Sequence, residues 1–214
     1  MGKNTAREVL IKNYGRIVEH FAITAPQAQN ILLSSAGTKE GKTITAIGLA
    51  LTTALLKPNK QILLVDLDLR HSMMQTLLKL DKTIGIRDVI AGKLRIEEVV
   101  DKNVLPNLAV ITAGEEVIDF PEAFQSSALV DFLKNVKSQY DLAFYDSPPI
   151  NNYVDAPLLS SFMDGVILVI RSKISRAGEV VFAKAEIHRS NGNVVGAIMN
   201  DFHSPIPSFL ARLL

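Results

Sequence analysis

The chain has 214 residues, 48% of them hydrophobic and 21% charged, with a formal net charge of +1 at pH 7 and no cysteine. This length and apolar content suffice for one α/β domain with a sizeable core and exclude a disordered chain. Balanced charge without a basic run excludes a protein that tracks nucleic-acid phosphates, and the lack of cysteine excludes disulfides, zinc–thiolate sites and a thiol nucleophile.

In chain order, residues 5–21 are predicted as an amphipathic helix, with Val9, Leu10, Tyr14, Ile17, Val18 and Phe21 at helical spacing. "TAPQAQN" interrupts it, and "ILLSS" is a short apolar strand. A loop rich in glycine and charge, "AGTKEGKT", leads into a helix over 43–56 that Lys57-Pro58-Asn59 closes. "QILLVD", "LAVI" (108–111), "LAFYD" (142–146), "GVILVI" (165–170) and "VVGAIMN" (194–200) are further strands, with helices over 127–139 and 177–190 between them. The strands are continuous apolar runs rather than alternating ones, as expected where helices cover both faces of a parallel sheet. The fold expected is a doubly wound α/β domain with a mostly parallel sheet, spanning 30–204. A helical segment (1–29) precedes it, and an apolar tail (205–214) follows.

The first residues carry no apolar signal-peptide region, and Ala6 stands where a myristoylation signal needs Ser or Thr. The apolar stretch Ile44–Leu56 is shorter than the roughly 20 residues that span a bilayer. A cytoplasmic location is therefore expected. In the tail, Ile206, Phe209, Leu210, Leu213 and Leu214 recur at helix spacing, a stripe suited to docking on a partner or membrane surface or to folding back on the domain.

In open α/β sheets the ligand sits at the carboxyl ends of the strands. Three such ends carry chemistry here: "SSAGTKEGKT", "DLDLR" (66–70) and "DSPP" (146–149). Backbone N–H groups from Gly37 through Thr38, Lys39, Glu40, Gly41 and Lys42 to Thr43 can cradle phosphate oxygens. The Lys42 ammonium suits the β/γ-phosphates of ATP, and the Thr43 hydroxyl suits Mg²⁺. Asp146 suits a direct or water-bridged metal contact, and Asp66 and Asp68 can share metal positioning and activation of the attacking hydroxyl or water. Each residue has a plainer reading: Asp66 as the N-cap of a helix over "LRHSMMQTLLKL", and Asp146 as a turn residue before two prolines. Three such ends on one sheet edge favour a nucleotide–magnesium site.

At these residues the chain resembles the bacterial tyrosine kinases (BY-kinases), relatives of the septum-positioning and plasmid-partitioning ATPases. "SSAGTKEGKT" resembles their variant Walker A loop, in which the first glycine is often absent (Ala36 here). "ILLVDLDLR" resembles their Asp-x-Asp-x-Arg motif, and "YDLAFYDSPPI" their Walker B motif. Softer similarities at "GIRDVIAGK", "NLAVITAG" and "VDAPLLSSFMDGVILVI" extend the likeness from about Ile31 to Asn200. The resemblance implies catalytic roles for Lys42, Asp66 and Asp68, metal contacts at Thr43, Asp68 and Asp146, and adenine reading at Asn200. It also implies tyrosine phosphorylation in exopolysaccharide or capsule assembly, a membrane-anchored polysaccharide co-polymerase as partner, and a homo-oligomer.

Two departures are visible. The tail "DFHSPIPSFLARLL" lacks the family's tyrosine cluster, and in the family's Glu-x-x-Arg-x-x-Arg assembly motif Ile11 and Tyr14 replace the arginines after Glu8. Glu8, Lys12 and Arg16 instead form a solvated helix face. The missing tyrosines pull towards a non-kinase ATPase switch, and a nucleotide-holding module without turnover is a third reading. Against the partitioning ATPases stands Gly37, which occupies the place of their partner-crossing lysine.

Overall fold

The computed structural model describes residues 3–80, 83–115 and 127–201, so the apolar tail lies outside the described residues. Seven strands, β1 (Asn30–Ser35), β2 (Ile62–Asp66), β3 (Asp101–Leu105), β4 (Leu108–Ile111), β5 (Leu142–Asp146), β6 (Gly165–Arg171) and β7 (Val194–Asn200), form one sheet in the order β3-β4-β2-β5-β1-β6-β7. All neighbours are parallel except β3, which pairs antiparallel with β4 at the edge. The helices are α1 (Lys3–Thr24), α2 (Lys42–Leu56), α3 (Met74–Leu78), α4 (Ile86–Ile90), α5 (Ile96–Val99), α6 (Ser127–Gln139), α7 (Asp155–Ser160) and α8 (Ala177–Arg189).

Each strand divides its side chains between two cores, because successive residues point to opposite faces. Ile31, Leu33, Ile62, Leu64 and Phe144 pack with Val18 of α1 and with Ala46, Leu49 and Ala50 of α2. Leu32, Leu63, Val65, Ala143 and Tyr145 pack on the other face against α4, α6, α7 and α8. Each fully buried Leu or Ile stabilises the fold by about 1.5–3 kcal/mol, so the central strands β1, β2 and β5 are the rigid frame.

The six expected strands and four expected helices are present, and four short helices and β3 add to them. β3 reads "DKNVL", too polar for an apolar-run criterion, because an edge strand has a solvent-facing side. α2 ends where predicted: the carbonyls of Ala54, Lys57 and Lys60 accept from the Asn107 side-chain amide at 3.2, 3.2 and 3.0 Å. These bonds satisfy groups that a helix end leaves without internal partners. The Glu8, Lys12 and Arg16 face of α1 is exposed, as the charge spacing implied.

α1 seats on α2 through one close approach. A Cβ added at Gly48 would stand 2.3 Å from Cε2 of Tyr14, inside any tolerable contact. Gly48→Ala is therefore expected to cost about 1–3 kcal/mol by overpacking, measured by urea unfolding. In a Tyr14→Ala background the same substitution is expected to cost little, because the ring it strikes is gone.

Candidate nucleotide site

Parallel pairing of β2 with β5 sets Asp66 directly opposite Asp146 at the ends of the two strands. Both are buried, as is Asp68 two residues on. Asp66 Oδ1 accepts from the Asp68 N–H at 3.1 Å and Asp66 Oδ2 from the Ser72 hydroxyl at 2.6 Å. A backbone hydrogen bond from Met74, the first residue of α3, adds a third donor. Asp66 therefore ties down the turn that leads into a short helix while remaining beside the second carboxylate; it is not that helix's N-cap, the place the plainer reading gave it, which Met73 holds. The extended helix anticipated there begins only at Met74.

Across the gap, the Thr43 hydroxyl donates to Asp146 Oδ2 at 2.5 Å. Asp146 Oδ1 is buried and has no hydrogen-bond partner. Burial, and then the Asp66 charge, push the Asp146 carboxyl well above the usual carboxylate range, against the pull of the Thr43 hydroxyl and the Lys42 ammonium. Asp66 is pushed up to about 6, chiefly by burial, with the Ser72 hydrogen bond opposing and the Asp68 charge adding. A cation would relieve all of these strains at once. Among the described residues no three His, Asp or Glu side chains form a metal cage. The donor set present, one hydroxyl beside one or two carboxylates, suits Mg²⁺, which keeps waters and phosphate oxygens in its shell. Thr43, Asp146 and Asp68 are the residues that would hold it.

The loop that leads into α2 is shaped by two left-handed residues, Lys39 (φ 59°) and Gly41 (φ 89°). At Gly41 a Cβ would meet the Asn200 amide nitrogen at 2.5 Å, so glycine is required on two counts. Gly37 differs: a Cβ there would make only an ordinary 3.7 Å contact with Glu40, so sterics do not dictate that glycine. Thr38 and Lys39 are exposed while Glu40 and Lys42 are buried, which places one charge of each sign inside and the loop's outer turn in solvent.

Sequence reasoning missed how this loop is braced. Asn200, at the end of β7, donates its amide to the Glu40 carbonyl and the Thr45 hydroxyl, both at 3.0 Å. The resemblance assigned Asn200 to the adenine; here its amide lies against the loop backbone. The Ser175 hydroxyl donates to the buried Glu40 carboxylate at 2.6 Å, and Arg171 donates to the Lys39 carbonyl at 3.0 Å. The available signal was topological, since "RSKIS" follows β6 at the ligand edge of the sheet. Arg87 of α4 similarly donates to the Leu69 carbonyl, tying α4 to the Asp66–Arg70 turn. Arg70 itself lies over the ring of Tyr153, 4.9 Å from its centroid.

The AAA-domain family model matches residues 31–187. The tyrosine-protein kinase YwqD of Bacillus subtilis is 31% identical over 180 residues, which cover 84% of this chain and 75% of that protein. The putative tyrosine-protein kinase EpsB of Ralstonia solanacearum is 28% identical, but the match spans only 23% of its length. Among solved structures, the kinase domain of the Escherichia coli tyrosine kinase ETK superposes with a TM-score of 0.79 at 24% identity, covering 90% of this chain and 76% of that one. The septum site-determining protein MinD of Pyrococcus horikoshii, complexed with Mg-ADP, superposes with a TM-score of 0.67 at 23% identity over 86% of this chain and 76% of that one. At these identities the two structures share the fold.

A carboxyl whose pKa is higher folded than unfolded keeps its proton longer in the native state, so stability falls as pH rises between the two values. For Asp66 these are 3.8 and about 6, and the urea midpoint of the nucleotide-free protein is expected to drop across that interval. Asp66→Asn is expected to flatten the drop and to add on the order of 2 kcal/mol at neutral pH. Asn200→Ala is expected to weaken ATP and GTP binding alike, by about tenfold each, if bracing the loop is its task. A loss confined to ATP in parallel titrations assigns it to adenine instead.

Proposed function

This chain belongs to the AAA-domain family and, within it, to the bacterial tyrosine-protein kinases, and we propose from that premise that it transfers the γ-phosphate of ATP to protein tyrosine. The observation that carries the reading is the buried, unpartnered Asp146 Oδ1 beside the Thr43 hydroxyl, opposite Asp66 and within the field of Lys42. That arrangement has the charge deficit that a magnesium–triphosphate group fills.

The chain's own residues divide the work. Backbone N–H groups of the 37–43 loop orient the phosphates, and Lys42 neutralises charge where the β/γ bond opens. When bound, Mg²⁺ supplies further charge neutralisation at the phosphate oxygens. Asp66 accepts the proton of the attacking tyrosine hydroxyl; its raised pKa makes it a stronger base than an ordinary carboxylate yet leaves it ionised at neutral pH. The P–O bond to the tyrosine oxygen forms as the bond to the ADP oxygen breaks.

We assign the chain to the cytoplasmic side of a membrane, acting with a membrane-anchored polysaccharide co-polymerase in exopolysaccharide or capsule assembly. The family resemblance supports this assignment. No helix among the described residues is long and apolar enough to cross a membrane.

The test uses purified chain, Mg²⁺ and γ-labelled ATP, with a tyrosine-containing copolymer as acceptor. Label is expected on tyrosine, and Lys42→Met is expected to slow transfer by about 10²-fold or more. Free phosphate without protein label assigns the ATPase-switch reading. Turnover that survives in Lys42→Met overturns the site.

A further inference from the structure

Tyr153 takes no part in the chemistry described above, yet it stands at the same sheet edge. It lies on the segment that leaves β5 after Asp146, just before α7, and its side chain is half-buried. Its ring is held by two residues of the turn that carries the catalytic carboxylates. The Arg70 guanidinium lies 4.9 Å from the ring centroid, and the His71 ring centroid lies 6.2 Å away at a 39° tilt. His71 in turn donates its backbone N–H to Asp68 Oδ1 at 3.2 Å, and its Nδ1 stands 4.0 Å from the same oxygen. A phenol is thus two side-chain contacts from Asp68.

The other tyrosines are placed differently. Tyr145 is fully buried and donates to Asn30 Oδ1 at 3.2 Å. Tyr14 is half-buried against α2, with its hydroxyl bonded to Thr45. Tyr140 precedes β5 and so lies at the opposite edge of the sheet from Asp146. Of the four tyrosines, Tyr153 alone combines solvent access with the ligand edge.

We propose that Tyr153 is a phosphoacceptor of this chain's own kinase reaction, with Arg70 and His71 receiving the phosphate ester. The proposal rests on the kinase reading above. In the step, the Tyr153 oxygen bonds to the γ-phosphorus as the bridging bond to ADP breaks, the phenolic proton passes to Asp66, and ADP leaves. The ester carries between one and two negative charges at neutral pH. Arginine's planar fork binds phosphate oxygens in pairs, and the His71 ring offers an N–H donor beside it. The two residues already gathered around the ring are therefore of the kind the product needs.

The test is phosphosite mapping by mass spectrometry on the purified chain after incubation with Mg²⁺ and ATP, alongside copolymer phosphorylation. Self-label is expected on the peptide that contains Tyr153. Tyr153→Phe is expected to lose about tenfold or more of the self-label while its rate on the copolymer stays within about twofold. Retained copolymer activity also establishes that the variant is folded. Self-label mapping to Tyr14, Tyr140 or another residue, or undiminished in Tyr153→Phe, overturns the proposal and leaves the kinase reading standing. ATP hydrolysis with no label on chain or copolymer overturns both.

Discussion

Two carboxylates face each other at the ends of β2 and β5, buried and in direct register, and much of the surrounding structure is arranged around that unfavourable pair. Burying one carboxylate raises its pKa, and a second nearby raises it further. The fold meets this cost in part with the Ser72 hydroxyl, two backbone N–H groups, the Thr43 hydroxyl and the Lys42 charge. One Asp146 oxygen is still left without a partner. A cation placed there would offset that cost, so stability given up in the nucleotide-free fold would be recovered on binding.

The pair can be held only because its frame is rigid. β1, β2 and β5 are covered on both faces, so their carboxyl ends cannot splay apart to let water reach the aspartates. The phosphate loop turns through two left-handed residues and is restrained from the far side of β1 by Asn200, Ser175 and Arg171. The restraint extends to α1, since Tyr14 bonds Thr45, which also donates to the Gly41 carbonyl at 2.8 Å. One continuous set of contacts thus links the N-terminal helix to the loop that would grip phosphate.

Much of this was legible in the residues. Apolar runs such as "ILLVD" and "LAFYD" identify buried parallel strands, because only a strand covered on both faces dispenses with polar alternation. The catalytic candidates were legible for the same reason, since Asp66 and Asp146 each follow such a run immediately. β3 was not, because "DKNVL" owes its strand conformation to pairing with β4 rather than to its own pattern. The second roles of Asn200 and Glu40 were also hidden. An Asn after a strand and a Glu in a loop look solvated until a non-local partner is known.

By itself, the sequence determined the order and type of the main elements, the loop chemistry of residues 37–43, and the family, since these depend on local spacing and residue type. Only the tertiary structure decided that Asp66 stands opposite Asp146, that Asn200 braces Glu40, and that Arg70 covers Tyr153. The physical reason is the sheet order. Placing β5 between β1 and β2, and β7 outside β6, joins residues 80 to 160 positions apart, and no short-range pattern encodes such a neighbour.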